Sequence, residues 1–417
     1  MKKLKLPKSF TVKAMFLYVA LFCVSSYALL EHVSISIGAF SMLKLPMMYV
    51  GFVCLIPQID TIYKCIFRKN QFFTLLTLGL FCIFLTISMF GNRDAMFGES
   101  PLYDTVRFLL FLVELFLVMI VLAETGRARQ AVGFLFWYVA ALTVVNDLLM
   151  FTGVIRFKVG RFETYIVGSK FAVSYLHMNL LTLWNVRSMW RPLKRRMPKW
   201  LIVLLAAYIV CVALRVDCMT GIIGCLALVL LFGLVRSPKR GRLLQFTSPT
   251  VLVLVLVASV AFVVLVDAIL DLPFVQFVVE DVFQRNLTLT GRTNIYNAYF
   301  RRMEGHMLLG YGLGNANIAS VTMFGYENVQ NALLQWVLQI GVPATVALVL
   351  VMVQIFRQVH RKRLHNMRMI LPIVALIYAY ILLGTVEVSF DMMFLMWMAL
   401  IFMLANERPQ PVRSNAA

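Results

Sequence analysis

Arg215, Arg292, Arg301 and Arg302 are the side chains best suited to do chemistry in this sequence. Arg215 closes an apolar run, and the other three fall in the polar stretch GRTNIYNAYFRRMEGHMLLGYGLGN, residues 291 to 315. A guanidinium presents a planar fork that grips two phosphate oxygens at once, which the point charge of lysine does not. The plainer use of each arginine is as an interfacial anchor, and adjacent Arg301 and Arg302 point in different directions on a helix. The same stretch holds His306, one of five histidines, which serves either as loop scaffold or as an active-site donor. Gly310, Gly312 and Gly314 surround Tyr311 in a pattern that suits a tight turn, with amides offered to an anion as the rarer use.

Other chemistries are poorly represented. No GxxxxGK[ST] run occurs, and YGLGNA lacks the strand, long helix and downstream acid of a dinucleotide site, so a nucleotide-driven pump is not indicated. Seven cysteines fall mostly inside apolar runs with no CxxC pair, which favours neither a zinc site nor a disulfide framework. No metal or cofactor is expected. The net charge of +20 does not point to nucleic acid, because the basic residues are concentrated in short segments between apolar runs.

The elements that must position these residues are membrane helices. Apolar residues make up 61% of the 417 and charged residues only 14%, with a mean hydropathy of +0.85, where soluble domains carry roughly a quarter charged residues. Apolar runs near the roughly 20 residues that cross a bilayer occur at about 11–30, 37–57, 72–90, 106–124, 131–151, 168–186, 200–217, 219–235, 249–267, 332–355, 369–387 and 391–406. The fold class is therefore an all-α polytopic membrane protein of about twelve spans. MKKLKLPKSF leads into a first span read as retained, with both termini cytoplasmic. On that parity KCIFRKN, ETGRARQ, RSMWRPLKRRMPK, RSPKRGR and RQVHRKRLHNMR all lie inside, and the outer connections are poorer in Lys and Arg.

The same parity makes 1–417 one integral membrane domain and places its longest polar excursion, 268–331 between the ninth and tenth spans, outside as a catalytic and substrate loop. FVVEDVFQRNLTLTGR suggests a short extended piece or turn around Leu287, Thr288, Leu289 and Thr290. Ile295, Tyr296, Tyr299, Phe300 and Met303 then recur at helical spacing, predicting an amphipathic helix on or partly in the outer interface that stops near Gly305. Lys44, Glu114, Asp147 and His177 fall inside spans, where they must face the bundle interior, pair or meet water. Lys44 and Glu114 are candidate partners. Asp267, Glu387 and Asp391 lie near outer span ends, each either a base for an acceptor hydroxyl or a counter-ion to the arginines.

Residues 290 to 350 resemble the shared core of the bacterial O-antigen ligase and polysaccharide polymerase family. There a Gly-Arg pair opens an external helix, a His-Pro-Leu element leads to a Gly-Tyr-Gly-x-Gly run, and a His-Asn pair precedes a membrane helix with a later glycine. Gly291 and Arg292 match the pair, His306 the first histidine, Gly310, Tyr311, Gly312 and Gly314 the run, Asn331 the asparagine and Gly341 the later glycine. Met307 stands in place of proline, and Gln330 in place of the histidine that is a leading catalytic candidate in ligases. Glutamine does not act as a base near neutral pH, which shifts that role elsewhere or points to the polymerase branch.

The resemblance implies an enzyme without cofactors in the bacterial cytoplasmic membrane. It would join undecaprenyl-diphosphate-linked oligosaccharides into capsule, exopolysaccharide or O-antigen, beside a flippase and a chain-length regulator. Arg292, His306, Arg215 and Gln330 are the implied catalytic residues, and Arg301, Arg302, Tyr311, Gly312, Gly314 and Asn331 the implied substrate-binding ones. The alternatives are ligase-type transfer to another acceptor, and transport of the lipid-linked glycan without covalent chemistry.

Overall fold

The protein was described from a computed structural model covering residues 11–31, 33, 37, 40–93, 100–154, 157–159, 162–190, 198–235, 245–277, 280–281, 292–361 and 367–408. Each predicted apolar run lies on a helix. In chain order these are α1 (Val12–Leu29), α2 (Phe40–Leu55), α3 (Ile59–Ile66), α4 (Lys69–Gly91), α5 (Pro101–Glu124), α6 (Ala128–Thr152), α7 (Lys170–Met189), α8 (Lys199–Arg215), α9 (Met219–Val235) and α10 (Pro249–Leu270). After the short α11 (Pro273–Phe277) come α12 (Arg292–Arg302), α13 (Ala316–Phe324), α14 (Ala332–Arg361), α15 (Met367–Leu383) and α16 (Met392–Asn406). An antiparallel hairpin, β1 (Phe157–Val159) and β2 (Phe162–Thr164), follows α6 and is a small exception to the all-α expectation.

Seven apolar helices among the described residues are long enough to cross a membrane, α2 and α3 counting as one over Met42–Ile66. Four more are apolar but shorter: Trp200–Arg215, Met219–Val235, Met367–Leu383 and Met392–Asn406. The chain is thus an all-α polytopic membrane protein. Helix α7 is the polar one of the set, carrying His177, Asn179 and Asn185 on its buried surface.

Burial sorts the helices into a centre and a periphery. Helices α15 and α16 are buried along nearly their whole length. By contrast α10 buries the single stripe Leu252, Leu256, Ser259, Val263, Val266 and Leu270, and leaves Leu254, Val257, Val264 and Leu265 exposed. An apolar helix that hides only one face and exposes an equally apolar one is suited to lipid on its outer side.

Burying polar residues inside the bundle is costly unless they are paired, and the structure shows both outcomes. Asp147 of α6 accepts from Tyr208 of α8 at 2.6 Å, lies 3.0 Å from His177 Nε2 of α7 and accepts from Asn146 at 3.3 Å. Three helices are clamped there. The candidate pairing of Lys44 with Glu114 is not what the structure has. Lys44 donates to the Glu31 carbonyl at 2.8 Å. Glu114, fully buried, has no hydrogen-bond partner on either carboxyl oxygen among the described residues and fills the space left by Gly51. Helix adjacency, which hydropathy does not encode, decides both.

The loops meet in two groups. Arg68 and Arg408 both grip Glu124, and Thr247 meets His360 at 3.3 Å, so the connections expected inside share contacts with one another. Ser88 and Asn92 bond the Leu309 carbonyl, and Lys170 donates to the Asp217 carbonyl, so those expected outside do likewise.

Candidate functional site

Helix α12 carries the first candidate, Arg292. Its buried face is Thr293, Ile295, Tyr296 and Tyr299, continued by Met303, and Gly305 follows with φ +83° as the expected stop. That face packs on Val263, Val266 and Leu270 of α10 and on Leu334 and Leu338 of α14. Two corrections to the expected amphipathic helix follow. The apolar face is covered by protein instead of lying on the interface, and Phe300 is turned outward, 45% exposed. Tyr299 donates to the Leu334 carbonyl at 2.9 Å and Tyr296 to the Gln330 carbonyl at 2.7 Å, pinning α12 to the start of α14. Gly291 and the stretch 282–290 lie outside the described residues.

The Arg292 guanidinium is held on two sides. Nε donates to Gln330 Oε1 at 3.2 Å, and Nη2 donates to Glu387 Oε2 at 3.4 Å, from the loop between α15 and α16. Gln330 has a left-handed backbone, φ +57°, and its own amide Nε2 donates to Asn328 Oδ1 at 2.7 Å. Its side chain is therefore engaged at both ends. Glu387 is buried, and burial pushes its carboxyl above the usual carboxylate range, although Arg292, the Val388 N–H and Lys170 pull the other way. Asn331 is buried among carbonyls: it donates to Ser259 O and Thr385 O at 3.3 Å each and accepts from Leu334 N at 3.1 Å, capping α14.

Of the other two acids at outer span ends, Asp391 caps α16 by accepting from Phe394 N at 3.0 Å, and Asp267 accepts from Asn297 at 3.4 Å. Arg215 is exposed at the end of α8. Two residues on, the Asp217 carbonyl accepts from Lys170 Nζ at 2.8 Å, and Lys170 in turn lies within electrostatic reach of Glu387. Lys170 thus links the α8 end, where Arg215 lies in sequence, with the surroundings of Glu387.

The remaining candidates gather elsewhere. Arg301 and Arg302 end α12, about 15 Å along the helix axis from Arg292 at 1.5 Å per residue. His306 stacks on Tyr311 with ring centroids 4.2 Å apart, and the Tyr311 hydroxyl donates to the Arg302 carbonyl at 3.3 Å. The proposed site residues therefore form two groups, one at each end of α12.

The glycine run explains itself by packing. Helix α14 is broken at Gly341, φ +79° and ψ +170°, which opens the bond that Val342 N would make to Leu338 O. Loop 307–311 inserts there: Tyr311 N donates to Leu338 O and Val342 N to Met307 O, both at 2.8 Å. Both backbone groups freed by the break are satisfied. Gly310 makes the approach possible, since a Cβ there would sit 2.7 Å from Leu338 O and Ile340 N. Gly312 and Gly314 rest on Pro101 at the start of α5, Gly314 also near Asp104.

Sequence reasoning named Glu387 as a base or counter-ion without singling it out from Asp267 and Asp391, and did not name Asn328, Tyr296 or Lys170 as site residues. The one available signal was the position of Glu387 at an outer span end. Residues 201–349 match the protein-family model of the O-antigen ligase, a range that includes Arg215, Arg292, His306, Gln330, Asn331 and Gly341 but neither Lys170 nor Glu387. No curated protein and no solved structure matches the chain. With its helical bundle and its broken α14, the chain is a polytopic membrane protein whose residues 201–349 match the O-antigen ligase family model.

Proposed function

We propose that the protein polymerises undecaprenyl-diphosphate-linked oligosaccharide repeat units at the outer face of a bacterial cytoplasmic membrane. The observation that carries this reading is the Arg292 guanidinium, oriented by Gln330 and Glu387, with Lys170 within electrostatic reach of Glu387. Among the described residues, two contacts to protein leave three of the five guanidinium N–H groups for a ligand. A diphosphate leaving group needs its developing charge held by fixed donors, and stabilising it supplies the main catalytic effect. Arg301, Arg302, His306 and Tyr311, one helix length away, are suited to a more distant part of a long glycan. The free energy for transfer resides in the donor's own diphosphate linkage.

Comparing lipid-linked glycans from cells with and without the protein, by gel and mass analysis, tests the reading. Loss of the lengthening ladder on deletion supports polymerisation. Unchanged glycan length with loss of a glycan-bearing acceptor favours ligase-type transfer, the second reading, which the description of the matching family itself recommends. Accumulation of substrate on the inner face would instead mean transport.

The sidedness is a separate expectation, drawn from the clustering of basic connections. In a background cleared of native cysteines, including exposed Cys211, an impermeant maleimide added to intact cells labels Asn297→Cys on α12. Gln130→Cys, exposed in the first turn of α6, is labelled only after permeabilisation. The reverse pattern would invert the topology.

A further inference from the structure

Glu387 is the buried acid that touches Arg292. Gln330 occupies the other side of the guanidinium, yet an amide does not accept a proton near neutral pH, and its Oε1 and Nε2 are both bonded within the protein. Asp267 and Asp391 are bonded to Asn297 and to a helix N-terminus. Among the described residues, Glu387 is the carboxylate in contact with Arg292: Oε1 accepts from Val388 N at 3.2 Å, and Oε2 faces Nη2 at 3.4 Å. The carboxylate and the N–H groups left for a phosphate are thus carried on one guanidinium. A base and an anion-binding donor held on one side chain suit a displacement reaction, in which the nucleophile approaches to about 3 Å as the leaving oxygen departs.

From this geometry we infer that Glu387 is the general base that activates the acceptor sugar hydroxyl. The inference rests on the proposed glycan transfer and adds the identity of the proton acceptor. In the step, the acceptor hydroxyl oxygen forms its bond to the donor anomeric carbon while its proton passes to a Glu387 carboxylate oxygen. The bond from that carbon to the diphosphate oxygen breaks, and its electron pair leaves with the lipid diphosphate, whose charge Arg292 holds. The proton on Glu387 returns to water after the products depart.

Two properties of the surroundings fit the role. Glu387 is 4% exposed, so few water molecules compete for its oxygens. The groups that face it are Arg292 and Tyr296 from α12, Lys170 and Tyr175 from α7, and Cys218 from the α8–α9 connection. The Tyr175 hydroxyl is buried and has no hydrogen-bond partner among the described residues, a donor suited to a sugar hydroxyl or the carboxylate. With burial raising the carboxyl, the wild-type rate should fall as pH drops through a range above the ordinary carboxylate value of about 4.3. The sign follows because the base works only when ionised.

The test uses the full-length protein in liposomes, with lipid-diphosphate-linked oligosaccharide extracted from the deletion strain as probe, and reads the initial rate of glycan transfer across pH. Glu387→Gln keeps an oxygen for Arg292 but takes no proton, and should lower the rate about 100-fold or more while the protein remains monodisperse. The decisive variant adds Gln330→His. A left-handed backbone tolerates histidine, and an imidazole there would face the same guanidinium from its other side. Glu387→Gln/Gln330→His should recover at least 10-fold over Glu387→Gln, with its acid limb moved to the histidine range of about 6.5. Wild-type rate in Glu387→Gln, or no recovery in the double variant, overturns the assignment of the base. Absence of transfer by the wild-type protein would count against the proposed function instead.

Discussion

Replacing Arg292 with alanine should leave insertion nearly normal and cut glycan transfer by roughly 30-fold to 1000-fold. That range corresponds to about 2 to 4 kcal/mol of transition-state stabilisation, typical for a charged donor aimed at a developing negative charge. The side chain is 21% exposed, and the apolar contacts that hold α12 come from Ile295, Tyr296 and Tyr299, so the fold does not depend on it. Loss of the guanidinium also leaves Glu387 buried without its arginine, so some destabilisation is expected. Detergent melting measured beside activity separates the two effects. Arg292→Lys discriminates further: a residue that supplied only charge would be largely replaced by lysine, whereas one that bridges Gln330, Glu387 and a phosphate would not. Gln330→Ala removes one orienting contact and should cost less than Arg292→Ala. Wild-type ladders from a well-inserted Arg292→Ala protein, under conditions where the enzyme limits the rate, would make Arg292 an anchor and leave Arg215 as the first phosphate-binding candidate.

Gly341→Ala should be the most damaging single change to the fold. The backbone there, φ +79° and ψ +170°, is a region populated almost only by glycine, and a Cβ would run into the Leu308 carbonyl. Conformational strain alone costs about 1 to 3 kcal/mol, and relieving the clash requires loop 307–311 to withdraw. Withdrawal breaks the Tyr311–Leu338 and Val342–Met307 bonds and leaves backbone groups unsatisfied where α14 is broken. The expected result is a lower melting temperature in detergent and loss of activity together. Gly133→Ala is the control, since that helical glycine has open space around its would-be Cβ and should melt like wild type or slightly higher. Equal melting of the two variants would mean that the loop does not lock the break.

These two residues mark how far the sequence reaches. Hydropathy of +0.85 and the runs of apolar residues determine a helical membrane protein, because each span must satisfy its own backbone in lipid and so leaves a local record. The grouping of basic connections is likewise local, and the contacts of Arg68, Glu124 and Arg408 agree with it. The chemistry proposed for Arg292 is suggested by side-chain type and by its place on an amphipathic segment.

Its partners are not legible in the same way. Glu387 lies 95 residues from Arg292, and Gln330 lies 38 residues away. Which distant loop meets which helix end depends on the packing order of the bundle, and periodicity says which face is buried without saying against what. For the same reason, Lys44 and Glu114 looked like a pair and are not, while Asp147 and His177 meet directly and share the carboxylate with Tyr208. The glycines that read as a site are also the point where a loop repairs a broken helix, an exchange of hydrogen bonds between Leu338, Val342, Met307 and Tyr311 that exists only once the chain is folded.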